Sequence, residues 1–205
     1  MEPYRNKINK KSLEIFLSSL KTPLSYNINL EQYPTDAVTA STILFEAFMD
    51  GNISGKTVID PGTGNGIFAI GSCYLGASHS TGVDIDPNMI SIARRNSELT
   101  FPCAEFINSN ISEISGNFDT VIMNPPFGSI TKHDDIPFIE KALEVGKYIY
   151  AVHNIKSYEF IKNLYSQRMQ IIRKERIFIK VPRIYAHHKD EYHEIESMLV
   201  YGTVN

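Results

Sequence analysis

The chain has no tryptophan and only two cysteines, Cys73 and Cys103, among 205 residues. Two cysteines 30 positions apart make neither a disulfide framework nor a zinc-ligand spacing, so a reducing, cytoplasmic setting is expected. Long apolar runs are also missing. None approaches the roughly 20 residues of a membrane span, and the opening MEPYRNKINKK holds no signal-peptide core. Nor is there an excess of positive charge. The net charge of −3 excludes a chain that is basic throughout, so any nucleic-acid contact must come from local patches. Hydrophobic content of 42% is that of a globular protein. The length suits one domain, residues 1–205, with a substantial core.

What is present alternates. Strand-like and helix-like patterns follow one another along the chain, which predicts an α/β fold with a doubly wound, mainly parallel sheet. Two closing strand patterns, about 171–181 and 194–201, have no long helix between them and predict an antiparallel edge hairpin. Near the start, Leu13, Phe16, Leu17 and Leu20 fall at helical spacing, with Asn9 or Ser12 as cap. A second helix carries Val38, Ile43, Leu44, Ala47 and Phe48, with Thr35 as the expected N-cap and Gly51 as its stop.

The most informative stretch is Phe118-Asp119-Thr120-Val121-Ile122-Met123-Asn124-Pro125-Pro126-Phe127-Gly128. Its first half is a short apolar strand. Two consecutive prolines then remove two ladder donors and fix two φ angles, so the backbone leaves the sheet rigidly. Asn124 is thereby placed at the carboxyl end of a strand, where open α/β sheets bind ligands. The Asn124 side-chain oxygen and the Pro125 carbonyl suit the two N–H groups of an exocyclic amine, with Pro126 holding both still. Phe127 is expected to stack on the ring, as aromatics do in single-strand binders. Asn-Pro alone is a common turn initiator; the full row after an apolar strand favours chemistry.

Upstream, Lys56-Thr57-Val58-Ile59-Asp60 is a strand, followed by Pro61-Gly62-Thr63-Gly64-Asn65-Gly66 and a helix opening at Ile67. Glycines between strand and helix let a ligand approach the backbone. The Gly-x-Gly-x-Gly spacing is not that of a dinucleotide fingerprint. A second strand ends Asp84-Ile85-Asp86, and Pro87 opens a helix. Asp86 is read as the cap of that helix and Asp84 as the acceptor for ribose hydroxyls. A third strand, 104–107, leads to Asn108-Ser109-Asn110-Ile111.

Asn124-Pro125-Pro126-Phe127 resembles the signature of amino-methyltransferases acting on adenine N6, cytosine N4 or glutamine. With Leu30-Glu31-Gln32-Tyr33-Pro34-Thr35, Ala142-Leu143-Glu144 and the stretch 150–153, it is similar to the methyltransferase-like protein 5 family. The resemblance implies a Rossmann-like class I methyltransferase fold, S-adenosylmethionine as cofactor, and adenine N6 in small-subunit ribosomal RNA as substrate. It implies that helices within 1–50 cover the cofactor and that 51–205 form the catalytic core. Asn124, Pro125, Pro126 and Phe127 become the catalytic row. Gln32, Thr35, Asp60, Gly62, Gly64, Asn65, Gly66, Ile67, Asp84, Asn110 and Ile111 become cofactor contacts. Asn110 stands where the family tends to carry an aspartate, so its carbonyl would accept one uncharged bond from the adenine amine. Eukaryotic members work with a small zinc-containing activator protein, which becomes a candidate partner.

The segment 128–137 reads as a polar loop beside the substrate; His133, Asp134 and Asp135 have neither metal spacing nor a base to supply. From Arg168 to Lys189 seven basic residues face one acid, Glu175, a polyanion-facing asymmetry. Candidate RNA contacts are His153, Arg176, Tyr185, His188 and Lys189, although His153 suits a structural role equally well. No metal site is expected. The rival substrates are a DNA adenine or a protein glutamine. More distant rivals are a nicotinamide-dependent oxidoreductase and a catalytically silent RNA-binding module.

Overall fold

The structure is a computed structural model and describes residues 8–27, 30–98, 103–128, 134–182 and 192–205. Short polar side chains start the first helices. In α1 (Lys10–Ser18) the Asn9 side chain accepts from Ser12 N–H while the Ser12 hydroxyl accepts from Asn9 N–H. In α2 (Ala37–Met49) the cap is Asp36, not the expected Thr35. One Asp36 oxygen accepts from both Val38 and Thr39 N–H at 3.0 Å, which leaves the Thr35 hydroxyl for another contact.

There follow β1 (Thr57–Pro61), α3 (Ile67–Tyr74), β2 (His79–Asp84), α4 (Pro87–Glu98), β3 (Ala104–Asn108) and β4 (Phe118–Met123). The chain continues through α5 (Ile136–Val145), β5 (Gly146–Asn154), α6 (Tyr158–Ser166), β6 (Met169–Pro182) and β7 (Tyr192–Val204). The seven strands form one sheet in the order β3-β2-β1-β4-β5-β7-β6. Strands β1 to β5 run parallel, and β7 runs antiparallel between β5 and β6. The expected edge hairpin is present, with β7 as its inner strand.

The pleat sends successive side chains to opposite faces. Val121 and Met123 join Ile149 and Ala151 beneath α5 and α6, against Ile139, Leu143, Ile161 and Tyr165. Ile122, Tyr150 and Val152 pack with Leu13, Leu17, Ile43, Leu44 and Phe68 of α1, α2 and α3. Ile90 and Ala93 of α4 meet Ile70 and Phe106. Both faces of β4 and β5 are thus covered, which is why those central strands carry continuous apolar runs.

Strand β1 has β2 on one side and β4 on the other, so strand order reverses there. Pairing of Ile59 with Val121 brings the turn after β1 beside the end of β4. That switch point opens the crevice where sheets of this kind take ligands.

The expectation for the cysteines is overturned as well. Cys73 in α3 and Cys103 before β3 form a disulfide, with Cα atoms 5.9 Å apart. Strand β3 returns alongside β2, the strand that follows α3, and this non-local pairing joins residues whose sequence spacing looked uninformative. The cysteines therefore carry no argument for a reducing setting. Among the described residues no helix is long and apolar enough to cross a membrane.

Candidate active site

The turn after β1 passes through Gly62 (φ 73°) and Gly64 (φ 55°), both in the left-handed region. A Cβ on Gly62 would lie 3.1 Å from the Phe138 ring. Gly62 and Thr63 N–H donate to the Val83 carbonyl at 2.7 and 3.0 Å, and Gly64 N–H donates to Asp84 Oδ2 at 2.9 Å. The turn is thereby stitched to the end of β2. Asp84 Oδ1 accepts from Asp86 N–H at 2.9 Å. Burial raises the Asp84 carboxyl above its ordinary value, and these N–H bonds offset part of that rise.

Asp86 caps α4 by accepting from Asn88 N–H at 2.8 Å, and its other oxygen accepts from Gln32 Nε2 at 2.9 Å. Burial is outweighed there by those bonds, so the carboxyl is held below its ordinary value. Asp60 sits under the turn, 1% exposed. It accepts from Thr63 Oγ1 at 2.6 Å and from Ala69 N–H at 3.3 Å, and burial pushes it up to about 7. Asp60 shapes the turn from beneath. Gly66 is the left-handed N-cap of α3.

Above the turn lies a cavity of about 330 Å³. Of the residues singled out from sequence, Gln32, Thr35, Gly62, Gly64, Asn65, Ile67, Asp84, Asn110, Ile111, Asn124 and Pro126 line it; Asp60, Gly66, Pro125 and Phe127 do not. Asn65 Nδ2 donates to the Lys21 carbonyl at 3.2 Å, tying the turn to the segment between α1 and α2, the N-terminal strap. The Asn110 carbonyl, expected to meet an adenine amine, accepts from Ser112 N–H at 2.9 Å as a helix cap.

At the end of β4 the Asn124 Nδ2 donates to Thr35 Oγ1 at 2.9 Å. Its Oδ1 is buried and has no hydrogen-bond partner among the described residues. An unpaired buried acceptor costs about 1–3 kcal/mol. The amide is held at its nitrogen, and its oxygen is left with unused acceptor capacity.

Phe127 departs from expectation. Its ring is 7% exposed and belongs to the core beneath α1, α2 and α3, with the Tyr33 ring 5.3 Å away at 57°. Burying such a ring gains about 1.5–3 kcal/mol, and the core lies within its reach. In this structure the ring packs within the core and does not line the cavity. Its N–H donates to Glu31 Oε2 at 2.8 Å.

The expected RNA contacts fare unevenly. His153 is 1% exposed, with Nε2 2.9 Å from the Tyr165 hydroxyl, and burial lowers its pKa to about 3. It is a neutral core histidine, buried away from the surface in this structure, which matches the structural role that suited it equally well. Arg176 is exposed on β6 but pairs with Glu196 at 2.7 Å. Tyr185, His188 and Lys189 lie outside the described residues. Much of the basic stretch is compensated locally. Arg173 pairs with Glu46 and Asp50 at 3.2 and 3.0 Å, Arg168 donates to the Leu143 carbonyl, and Lys174 lies 5.2 Å over the Tyr158 ring.

Sequence reasoning missed Glu31, Phe138 and Asn96. Asn96 Nδ2 donates to the Asn65 and Lys21 carbonyls at 2.9 and 3.0 Å, joining α4, the glycine turn and the strap. Only Glu31 had a signal, its place inside the quoted 30–35 block.

A sheet of this order, with a glycine turn after β1, a carboxylate ending β2 and an asparagine ending β4, defines a Rossmann-like methyltransferase. A family model for ribosomal protein L11 methyltransferase (PrmA) matches residues 39–126. The chain is 32% identical to METTL5 of Danio rerio, an rRNA N(6)-adenosine-methyltransferase, over 91% of this chain and 94% of that one. The chain belongs to the METTL5 family of methyltransferases. It is also 39% identical to an uncharacterized protein of Methanocaldococcus jannaschii, over 94% of this chain and 93% of the other. A crystal structure from Pyrococcus horikoshii, put forward as an RNA methyltransferase, superposes with a TM-score of 0.89 at 30% identity, covering 97% and 98% of the two chains.

Proposed function

We propose that this protein transfers the methyl group of S-adenosylmethionine to N6 of an adenine in ribosomal RNA, most specifically that of the small subunit. The observation that supports this reading is Asn124, a cavity-lining residue at the end of β4 whose Nδ2 is fastened to Thr35 Oγ1 and whose Oδ1 has no partner among the described residues.

The residues present suit the cofactor. The cavity falls within the range of small-molecule sites, roughly 300–1,000 Å³. Gly62 and Gly64 keep side chains away from the approach, and the Asp84 carboxylate can accept from ribose hydroxyls. Asn110, Ile111, Gln32 and Thr35 complete the wall. S-adenosylmethionine supplies an electrophilic methyl group. The protein's own part is to orient the amine. Asn124 Oδ1 accepts one N–H, and the second acceptor is the Pro125 carbonyl, carried on the peptide that Pro125 shares with the cavity-lining Pro126; together they free the nitrogen lone pair from the ring. Pro125 and Pro126 hold these acceptors without reorganisation, so catalysis is mainly positioning. The methylated amine is cationic until it loses its proton to water, so no strong base is needed.

The target base has to leave any stack to enter the cavity, which favours single-stranded or readily unstacked RNA. A small zinc-containing activator is the partner suggested by family resemblance, with β3 and β6 as the sheet edges open to pairing. A cytoplasmic location fits an RNA-modifying enzyme. Mapping N6-methyladenine on ribosomal RNA with and without the protein tests the reading. Labelled cofactor with DNA and protein extracts distinguishes adenine in DNA and glutamine in protein; exclusive labelling of either refutes it.

A further inference from the structure

Among the described residues, one that is not glycine has a positive φ: Glu31, at 47°. A residue with a Cβ adopts this conformation at a cost, and it persists where surrounding contacts demand it. The Glu31 side chain shows what demands it. It is 9% exposed, and its Oε2 accepts from the Phe127 N–H at 2.8 Å. Pro125 and Pro126 have no N–H, so the Phe127 N–H is the first backbone donor after Asn124. Four residues along the strap, Thr35 Oγ1 holds Asn124 Nδ2 at 2.9 Å. Both ends of the Asn-Pro-Pro-Phe row are therefore fastened to the segment 31–35 rather than to the sheet. The same segment lines the cavity, and Tyr33 packs its ring on Phe127.

We propose that Glu31 is a positioning residue for the methyl-accepting amine. Its carboxylate, acting through the Phe127 N–H, sets where the Pro125 carbonyl and the Asn124 oxygen stand relative to the cavity. This rests on the amino-methyltransferase reading above, though not on adenine being the amine. A charge-assisted bond to a backbone N–H is shorter and stronger than a neutral one, which suits a peptide row that has no ladder bonds of its own. Fixing the row from the strap that also walls the cavity keeps acceptor and donor sites in one register.

The test uses two substitutions in the full chain. Glu31→Gly removes the side chain while φ 47° becomes comfortable, so folding is retained. Glu31→Gln keeps an acceptor for the Phe127 N–H. For Glu31→Gly the expected result is a kcat lowered about 10- to 100-fold, with KM for RNA, cofactor affinity by calorimetry and Tm all close to wild type. Glu31→Gln is expected to stay within about 5-fold of wild-type kcat. A Glu31→Gly protein with wild-type kcat overturns the proposal. So does one in which cofactor affinity and Tm fall along with kcat, because that pattern marks a purely structural role. Equal losses in Glu31→Gln and Glu31→Gly overturn it as well. The series is read on whichever amine the wild type methylates, so a failure of the adenine assignment is seen separately in the wild-type control.

Discussion

Replacing Asn124 by alanine separates chemistry from folding, because the side chain does different things in the free and working protein. In the free protein it makes one bond, Nδ2 to Thr35 Oγ1, and leaves Oδ1 unpaired and buried. Losing the bond costs about 0.5–1.5 kcal/mol, and removing the orphaned acceptor returns about 1–3 kcal/mol. The two nearly cancel. At about 2–4 °C per kcal/mol for a chain of this size, Tm should move by less than roughly 5 °C. During methyl transfer the same oxygen accepts from an amine that is becoming cationic, a bond worth about 1.5–3 kcal/mol or more. That predicts a kcat lower by roughly 100-fold. Thr35→Val tests the geometry behind this, since it keeps Oδ1 but lets the amide rotate; about 10-fold in kcat is expected. The assay is single-turnover methylation of a target RNA, with cofactor affinity and Tm measured on the same samples. A kcat reduced less than 5-fold, or a joint collapse of kcat, cofactor affinity and Tm, would refute the reasoning.

Asp84→Asn keeps shape and removes charge from the β2 terminus; cofactor affinity by calorimetry should fall about 10- to 100-fold, and an unchanged affinity would remove Asp84 from the cofactor site. His153 should stay neutral down to about pH 3, visible as a ring resonance that does not titrate near 6.5 by NMR. Its folded pKa is depressed, so the folded state binds fewer protons than the unfolded one between about 3 and 6.5. Stability from this group is complete above 6.5 and lost as pH falls through that window. Reducing the Cys73–Cys103 disulfide frees a loop of 30 residues and should cost about 3–4 kcal/mol, lowering Tm by roughly 6–16 °C. A Tm indifferent to reductant would mean that the bridge contributes nothing to stability.

Local pattern made much of this protein readable. The apolar run 120–123 followed by two prolines could only be a strand that stops, and Pro87 after Asp86 could only open a helix. The alternation of periods placed nearly every element, and capping by Asn9 was legible because it spans three residues. Some apparent signals misled for equally local reasons. Thr35 looked like a cap because the better cap, Asp36, stands next to it, and the basic stretch looked free because its acids lie elsewhere in the chain.

By itself the amino-acid order determined the α/β class, the strand-end positions of Asp84 and Asn124, and the stiffness of the row that follows Asn124. Those are consequences of periodicity and proline stereochemistry, which act over a few residues. The tertiary structure alone decided what meets across the sheet: β1 beside β4, Thr35 on an amide 89 residues away, Glu31 on the Phe127 N–H, and Cys73 on Cys103. It also decided that Phe127 and His153 turn inward, because burial depends on which neighbours the pleat and the helices bring, and no short stretch of sequence contains those neighbours.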